Sequence, residues 1–252
     1  MNDTKMIFTE RFAPRFVIRT RCILELLSTN PKYFLEIGCG IGDFLRVLEN
    51  LGWSGIGIDI SPRAIEIAKK KITSNNIRVY HAAEVKSDEK FDCIFALEVL
   101  EHIENDKKII LQWREHLSED SKIIISVPAH KRKWTKHDNL AGHFKRYEKY
   151  ELMELMDFAG LKVERIINYG FPILNITNYI RGMIATKDSR WCLPKMERIK
   201  SSGLNKWQAI GYFGKIILTI ITTLFYPIQK VFWGYDTSDG YIVVASPKSK
   251  HR

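Results

Sequence analysis

Apolar and polar residues follow two interleaved rhythms along this chain. Short apolar runs alternate with stretches in which apolar positions return every three or four residues. The runs predict strands at 33–38, 54–60, 77–81, Phe91–Leu97, Ile123–Val127, Lys162–Tyr169 and Gly240–Ser246. The stretches between them predict helices at 41–51, 62–72, 105–118 and 148–159. Ser61 reads as an N-cap with Pro62 at the first helical position, Pro128 ends the fifth strand, and Gly160 stops the last of these helices. Residues 8–29 predict a further amphipathic helix, with Phe12, Phe16, Ile23, Leu24, Leu26 and Leu27 set among Arg11, Arg15, Arg19 and Arg21. Alternating strand and helix imply a parallel, doubly wound α/β sheet.

The rhythm breaks before the last strand, across about 70 residues at 170–239. A connection of that length is structured or functional, and a helical insertion near the substrate site is expected. It carries nine lysines and arginines against four acids, a surplus of five positive charges. Within it Ile216–Ile228 is almost unbroken in its apolarity, broadened by Trp207, Tyr212, Phe213, Phe232 and Trp233. A helix needs roughly 20 residues to span a bilayer, so this run is too short, and Pro227, Lys215 and Lys230 also argue against a span. Two readings stay open: a buried cap over the site, or an interfacial segment, 207–233, lying on a membrane with its lysines at the headgroups. The division expected is 1–30 as an N-terminal helical segment, 31–169 with 240–252 as the core, and 170–239 as the cap.

Composition narrows the setting. The 252 residues are 45% hydrophobic, which supports a full core. Cys22, Cys39, Cys93 and Cys192 are scattered, as free thiols in a reducing compartment would be, and the N-terminus shows no secretory signal. A cytoplasmic protein is expected, with the insertion able to meet the inner face of a membrane. The net charge of +10 suits anionic partners: phosphorylated or carboxylated small molecules, a lipid surface or nucleic acid.

The chemistry begins at the first strand. Phe34-Leu-Glu-Ile-Gly-Cys-Gly-Ile-Gly-Asp-Phe44 places Gly38, Gly40 and Gly42 between a strand and a helix, and Gly57-Ile-Asp59 closes the second strand with a carboxylate suited to a ribose. A dinucleotide fingerprint would need a further glycine at 43 or 45, where this chain has Asp43 and Leu45. Asp43 at a helix N-terminus would repel a pyrophosphate. A cationic or phosphate-free nucleoside is tolerated, and S-adenosylmethionine fits.

Glu36-Ile-Gly-Cys-Gly-Ile-Gly42 resembles motif I of the class I S-adenosylmethionine-dependent methyltransferases, with Asp59 at the matching acidic position. The resemblance covers about residues 30–168 and the final strand. It implies a Rossmann-like, seven-stranded sheet whose last strand is antiparallel. It also implies cofactor contacts from Glu36, Gly38, Cys39, Gly40, Asp43, Phe44, Asp59, Ile60, Ala83, Glu84 and Leu97. Many relatives have an aspartate where this chain has Ala82, which leaves adenine recognition to backbone groups.

Acceptor chemistry is carried by two further segments. If 98–103 is helical, Glu98, Glu101 and His102 share one face and can present two carboxylates and an imidazole to one metal ion. The segment resembles the E-x-x-E-H of the ubiquinone-pathway O-methyltransferases and of small-RNA 2′-O-methyltransferases, which implies Mg2+ or Mn2+ on Glu98, Glu101, His102 and His143. His102 serves equally as a metal-free general base, since an imidazole titrates near neutrality. The segment from Val127 to Tyr147 carries six lysines and arginines, one acid, and His130, His137 and His143. It resembles a V-P-A…G-H-x-(R/K)-R-Y segment of bacterial methyltransferases often associated with polysaccharide, lipid or secondary-metabolite pathways. Bracing is expected of Arg146 and Tyr147, and a substrate-facing role of His137, Asp138 and His143. The leading function is O-methylation of a small or lipid- or sugar-linked anionic acceptor by S-adenosylmethionine. An RNA 2′-O-methyltransferase and a non-catalytic membrane-surface binding protein remain alternatives; nucleic acid is the less favoured partner because no separate RNA-binding module is evident.

Overall fold

The computed structural model describes residues 13–27, 30, 32–84, 88–186, 188–202, 221–222 and 224–248. Its strands are β1 (Tyr33–Ile37), β2 (Ser54–Asp59), β3 (Ile77–His81), β4 (Phe91–Leu97), β5 (Leu117–Pro128), β6 (Leu161–Tyr169) and β7 (Gly240–Pro247). They form one sheet in the order β3-β2-β1-β4-β5-β7-β6. The first five pair in parallel, and β7 runs antiparallel between β5 and β6. The expected seven-stranded Rossmann-like sheet with an antiparallel last strand is the fold observed.

Both faces of the sheet are covered, which is why β4 reads as a continuous apolar run. On one face lie α1 (Pro14–Leu24), α2 (Asp43–Asn50) and α3 (Pro62–Lys71), which bury Phe16, Phe44, Leu48 and Ala68 around Trp53. On the other lie α4 (Asp106–Glu115) and α6 (Lys149–Phe158), which bury Ile110, Trp113, Leu152, Leu155 and Met156. The punctuation expected of the sequence is in place. Ser61 Oγ accepts from Ala64 N at 3.4 Å, and Gly160 adopts φ +69° after α6.

The first helix stops at Leu24, with residues 25–27 beyond it, and the boundary before β5 differs as well. The helix expected to reach residue 118 stops at Glu115, and β5 begins at Leu117, opposite Phe91. Ser121 Oγ donates to the Phe91 carbonyl at 2.6 Å and accepts from Ser118 N at 2.9 Å. These bonds hold the polar stretch Ser118–Ser121 to β4 as a bulge, so a segment without apolar periodicity is nonetheless strand.

A short helix, α5 (Lys136–Ala141), follows β5. The described part of the insertion contains α7 (Ile173–Ala185), α8 (Lys195–Ser202) and α9 (Tyr226–Val231). α7 crosses α5 closely: a Cβ on Gly182 would lie 3.0 Å from Thr135 Cβ. α9 docks on α1, with Gln229 Nε2 donating to Cys22 Sγ at 3.1 Å. Among the described residues no helix is long and apolar enough to cross a membrane. Residues 8–12 and 28–29 of the expected first helix, and Trp207, Tyr212, Phe213 and residues 216–220 and 223 of the apolar run, lie outside the described residues.

Candidate active site

The site sits where β1 and β4 part, at the carboxyl edge of the sheet, because crossovers leave these strands to opposite faces there. The glycine loop after β1 turns on left-handed backbone. Gly38 has φ +70°, and a Cβ on it would meet Val99 Cγ2 at 2.4 Å. That close approach seats the turn following β4 directly against the loop. Gly40 has φ +54° and, among the described residues, nothing within 4 Å of where a Cβ would stand, which leaves its backbone room for a ligand. Asp59, at the end of β2, accepts from Gly40 N and from Ser61 N, each at 2.8 Å. It clamps the loop and retains further acceptor lone pairs. Cys39 N donates to the Ile58 carbonyl at 2.9 Å, and Ile60 is exposed beside Asp59. Ala83 and Glu84 lie in a single turn after β3, with Glu84 Oε1 accepting from His81 N at 3.1 Å. Leu97 ends β4 beneath the opening.

Two residues expected at the cofactor are sealed under the loop instead. The Phe44 ring packs edge-on against Phe95, and Asp43 is buried in an ion pair with Lys71. Lys71 offsets the charge of Asp43, so the electrostatic argument against a pyrophosphate loses part of its force; the missing glycine at 43 and 45 still stands. Glu36 is also buried. Burial raises its pKa well above the usual carboxylate range, with Arg19 opposing, and among the described residues its Oε2 has no hydrogen-bond partner.

The helix expected over 98–103 does not form. Glu98 takes φ +61°, and only Leu100–His102 make one tight turn. Glu98 therefore leaves the face shared by Glu101 and His102. Its carboxylate accepts from Arg15 Nη1 at 3.1 Å, from the Tyr169 hydroxyl at 2.8 Å and from Ser126 Oγ at 3.2 Å. Burial opposes its ionisation, but Arg15 and Arg19 prevail and hold the pKa down at about 2. A carboxylate so engaged is a structural anion, and the expected four-ligand set loses it.

Glu101, His102 and His143 do converge, each offering a ligand atom within 4.8 Å of the others. Glu101 is fully buried, and among the described residues neither of its oxygens has a hydrogen-bond partner; His102 Nδ1 has none either. Burial, then the charge of Glu98, raises the Glu101 pKa well above its usual value. Burial, then His143, lowers the His102 pKa to about 3, so this imidazole is neutral at physiological pH and weak as a base. A buried carboxylate and two part-buried imidazoles that converge in this way fit a divalent cation, and the mixed set suits Mn2+ better than Mg2+.

The basic loop supplies the orientation of His143. Its Nδ1 donates to Asp138 Oδ1 at 2.9 Å, which leaves Nε2 as the acceptor facing Glu101 Oε1, 4.0 Å away. Asp138 is fully buried and also bound by Arg146 Nε and Nη2 and by Thr135 N and Oγ1. Asp138 thus positions His143 and does not face substrate. His137 is corrected as a base as well: Arg181 Nη2 donates to its Nε2 at 2.8 Å, and burial, then Arg181, lowers its pKa to about 2. Arg146 braces as expected, reaching Asp138, Asp239, Asn178 and the Ala129 carbonyl.

Sequence reasoning missed Arg15, Tyr169, Asp239 and Arg181. Arg15 was one of four arginines on a helix and carried no distinguishing signal. Asp239 stands just before β7, where its carboxylate joins Arg15 to Arg146.

The methyltransferase-domain family model matches residues 10–166 of this sequence. The chain belongs to the methyltransferase family. It is 32% identical over 118 residues to the mitochondrial ubiquinone biosynthesis O-methyltransferase of Schizosaccharomyces pombe, a match covering 44% of this chain and 39% of that one. The chain spans about two fifths of the length of the curated relatives it matches. A Haloferax volcanii complex of the Trm112 methyltransferase activator with a methyltransferase contains a chain of like fold, at TM-score 0.61 and 14% identity, covering 93% of this chain and 90% of that one. A Mesorhizobium loti S-adenosylmethionine-dependent methyltransferase aligns at TM-score 0.58 and 13% identity, over 93% of this chain and 98% of that one.

Proposed function

We propose that the protein transfers the methyl group of S-adenosylmethionine to an oxygen of a small or lipid-linked anionic acceptor. One observation carries this reading: Val99 packs on Gly38, so the Glu101–His102–His143 group stands beside the open glycine loop. Donor and acceptor sites are then neighbours, which is what an in-line displacement requires. Bound S-adenosylmethionine supplies an electrophilic methyl on a sulfonium. Asp59 and the Gly40 backbone hold the nucleoside. His143, fixed as the Nδ1–H tautomer by Asp138, takes the acceptor hydroxyl proton at Nε2. Were a divalent ion present, Glu101, His102 and His143 would hold it, and it would bind acceptor oxygens and favour their ionised form.

The lipid-linked alternative is supported by apolar residues left exposed on α7 and α9, among them Tyr179, Met183, Ile184, Ile228 and Val231. They offer an apolar approach to the site and a means of resting at the inner membrane face.

The test is tritiated S-adenosylmethionine incubated with the protein and, separately, with polar-metabolite, lipid and RNA fractions. Label is expected in a metabolite or lipid fraction, as a methyl ether or ester. His143→Gln should bind S-adenosylhomocysteine normally and lose transfer. Label confined to RNA would select the 2′-O-methyltransferase reading, and no incorporation anywhere would leave the non-catalytic one.

A further inference from the structure

Arg181 is a strongly basic group near the site whose hydrogen-bond partner among the described residues is neutral. It projects from α7 toward α5, and its Nη2 donates to His137 Nε2 at 2.8 Å. Among the described residues it touches no carboxylate, although three stand in its surroundings. Glu98 is engaged by Arg15 and Tyr169, Asp239 by Arg15 and Arg146, and Asp138 by Arg146 and His143. A guanidinium has five N–H donors in a fixed planar fork, and among the described residues a single one is used. The side chain is half-buried. Burial, then the neighbouring charge of Arg15, lowers its pKa to about 10, so it stays charged at neutrality in a place that disfavours the charge.

The guanidinium is also aimed. His137 is held neutral, so its Nε2 is a fixed acceptor that sets the orientation of the fork. The neighbouring residue on α5, Asp138, orients His143. α7 is pinned to this surface by Asn178, which accepts from Arg146 Nη2 at 3.1 Å, and by the tight crossing of Gly182 over Thr135. The anchor and the proton acceptor are therefore built on the two ends of one rigid bond network.

We propose that Arg181, oriented by His137, binds the anionic group of the methyl acceptor, a carboxylate or a phosphate, while the hydroxyl to be methylated reaches His143. This rests on the methyltransferase reading for the identity of the ligand, and the bidentate fork explains why a planar or tetrahedral oxyanion is preferred to a neutral group.

Three small probes separate the cases by calorimetry on the full chain saturated with S-adenosylhomocysteine: 4-hydroxybenzoate, 4-hydroxyphenyl phosphate and the neutral 4-hydroxybenzamide. One of the anions should bind at least about tenfold more tightly than the amide, and which one does identifies the oxyanion. Arg181→Gln should erase that preference and leave affinity for S-adenosylhomocysteine and for the amide unchanged. Arg181→Lys should recover part of it, because a point charge replaces the fork. His137→Gln, which keeps the charge and loosens its aim, should reduce the preference several-fold and serves if Arg181→Gln does not fold. An anion preference that survives Arg181→Gln, or the absence of one in the natural chain, overturns the proposal. Should the chain fail to bind S-adenosylhomocysteine, the same titrations are run without it, and an Arg181-dependent anion preference there would refute the donor assignment and leave this anchor standing.

Discussion

Replacing Arg146 by leucine should unfold the acceptor side of the protein at a far lower temperature than the natural chain. Arg146 is 2% exposed and makes bonds of 2.9 and 3.2 Å to Asp138, 3.0 Å to Asp239, 3.1 Å to Asn178 and 3.1 Å to the Ala129 carbonyl. Leucine supplies apolar volume and none of these donors. Asp239 would keep Arg15, and Asp138 would keep His143 and Thr135, but Asp138 would lose its guanidinium partner while remaining fully buried. Breaking a buried ion pair by removing one partner costs about 3–5 kcal/mol. For a chain of this size each kcal/mol moves Tm by roughly 2–4 °C, so a fall on the order of 10 °C is expected. Differential scanning fluorimetry at pH 7.5 measures it. The double variant Arg146→Leu, Asp138→Asn should recover part of the loss, because one uncompensated charge is removed with the arginine. A fall smaller than about 2 °C for Arg146→Leu would refute the network as a source of stability.

Asp59→Ala removes the acceptor of both Gly40 N and Ser61 N together with the ribose contact, and should lower S-adenosylhomocysteine affinity by at least about tenfold in calorimetry; unchanged affinity contradicts the cofactor site. His137 has a folded pKa lowered to about 2, against roughly 6.5 unfolded, so the unfolded chain binds the extra proton between those values. Its stabilising contribution is complete above pH 6.5 and is lost as pH falls. From pH 6.5 to 5.5 the natural chain should lose about 1 kcal/mol more than His137→Gln in urea unfolding, and parallel pH profiles would show that His137 is not held neutral. If a metal serves the reaction, chelator should abolish turnover and Mn2+ restore it more fully than Mg2+, whereas indifference to chelator assigns Glu101 and His102 to metal-free packing around His143.

Much of the fold was legible because its signals are local. A β-strand buried on both faces is an apolar run wherever it occurs, and Ser61-Pro62 and Gly160 punctuate helices through their own backbones. The bulge at Ser118–Ser121 was not legible, since its strand character comes from hydrogen bonds to Phe91 on another strand. The Glu98–His102 segment misled for a related reason. Helical spacing put Glu98 on one face with Glu101, but the contact of Val99 with Gly38 and the pull of Arg15 and Tyr169 give Glu98 a left-handed backbone and a different set of partners.

By itself, the sequence determined the sheet, the glycine loop and the acid at Asp59, because each depends on residues adjacent in the chain or one helix apart. The tertiary structure alone decided which charged groups meet. Arg15 finds Asp239 across 224 residues, Arg146 reaches Asp239 across 93, and Arg181 reaches His137 across 44. The free energy of such pairs is set by burial and geometry after folding, so identical arginines on one helix can be solvated, structural or aimed at a ligand with nothing in their local sequence to tell them apart.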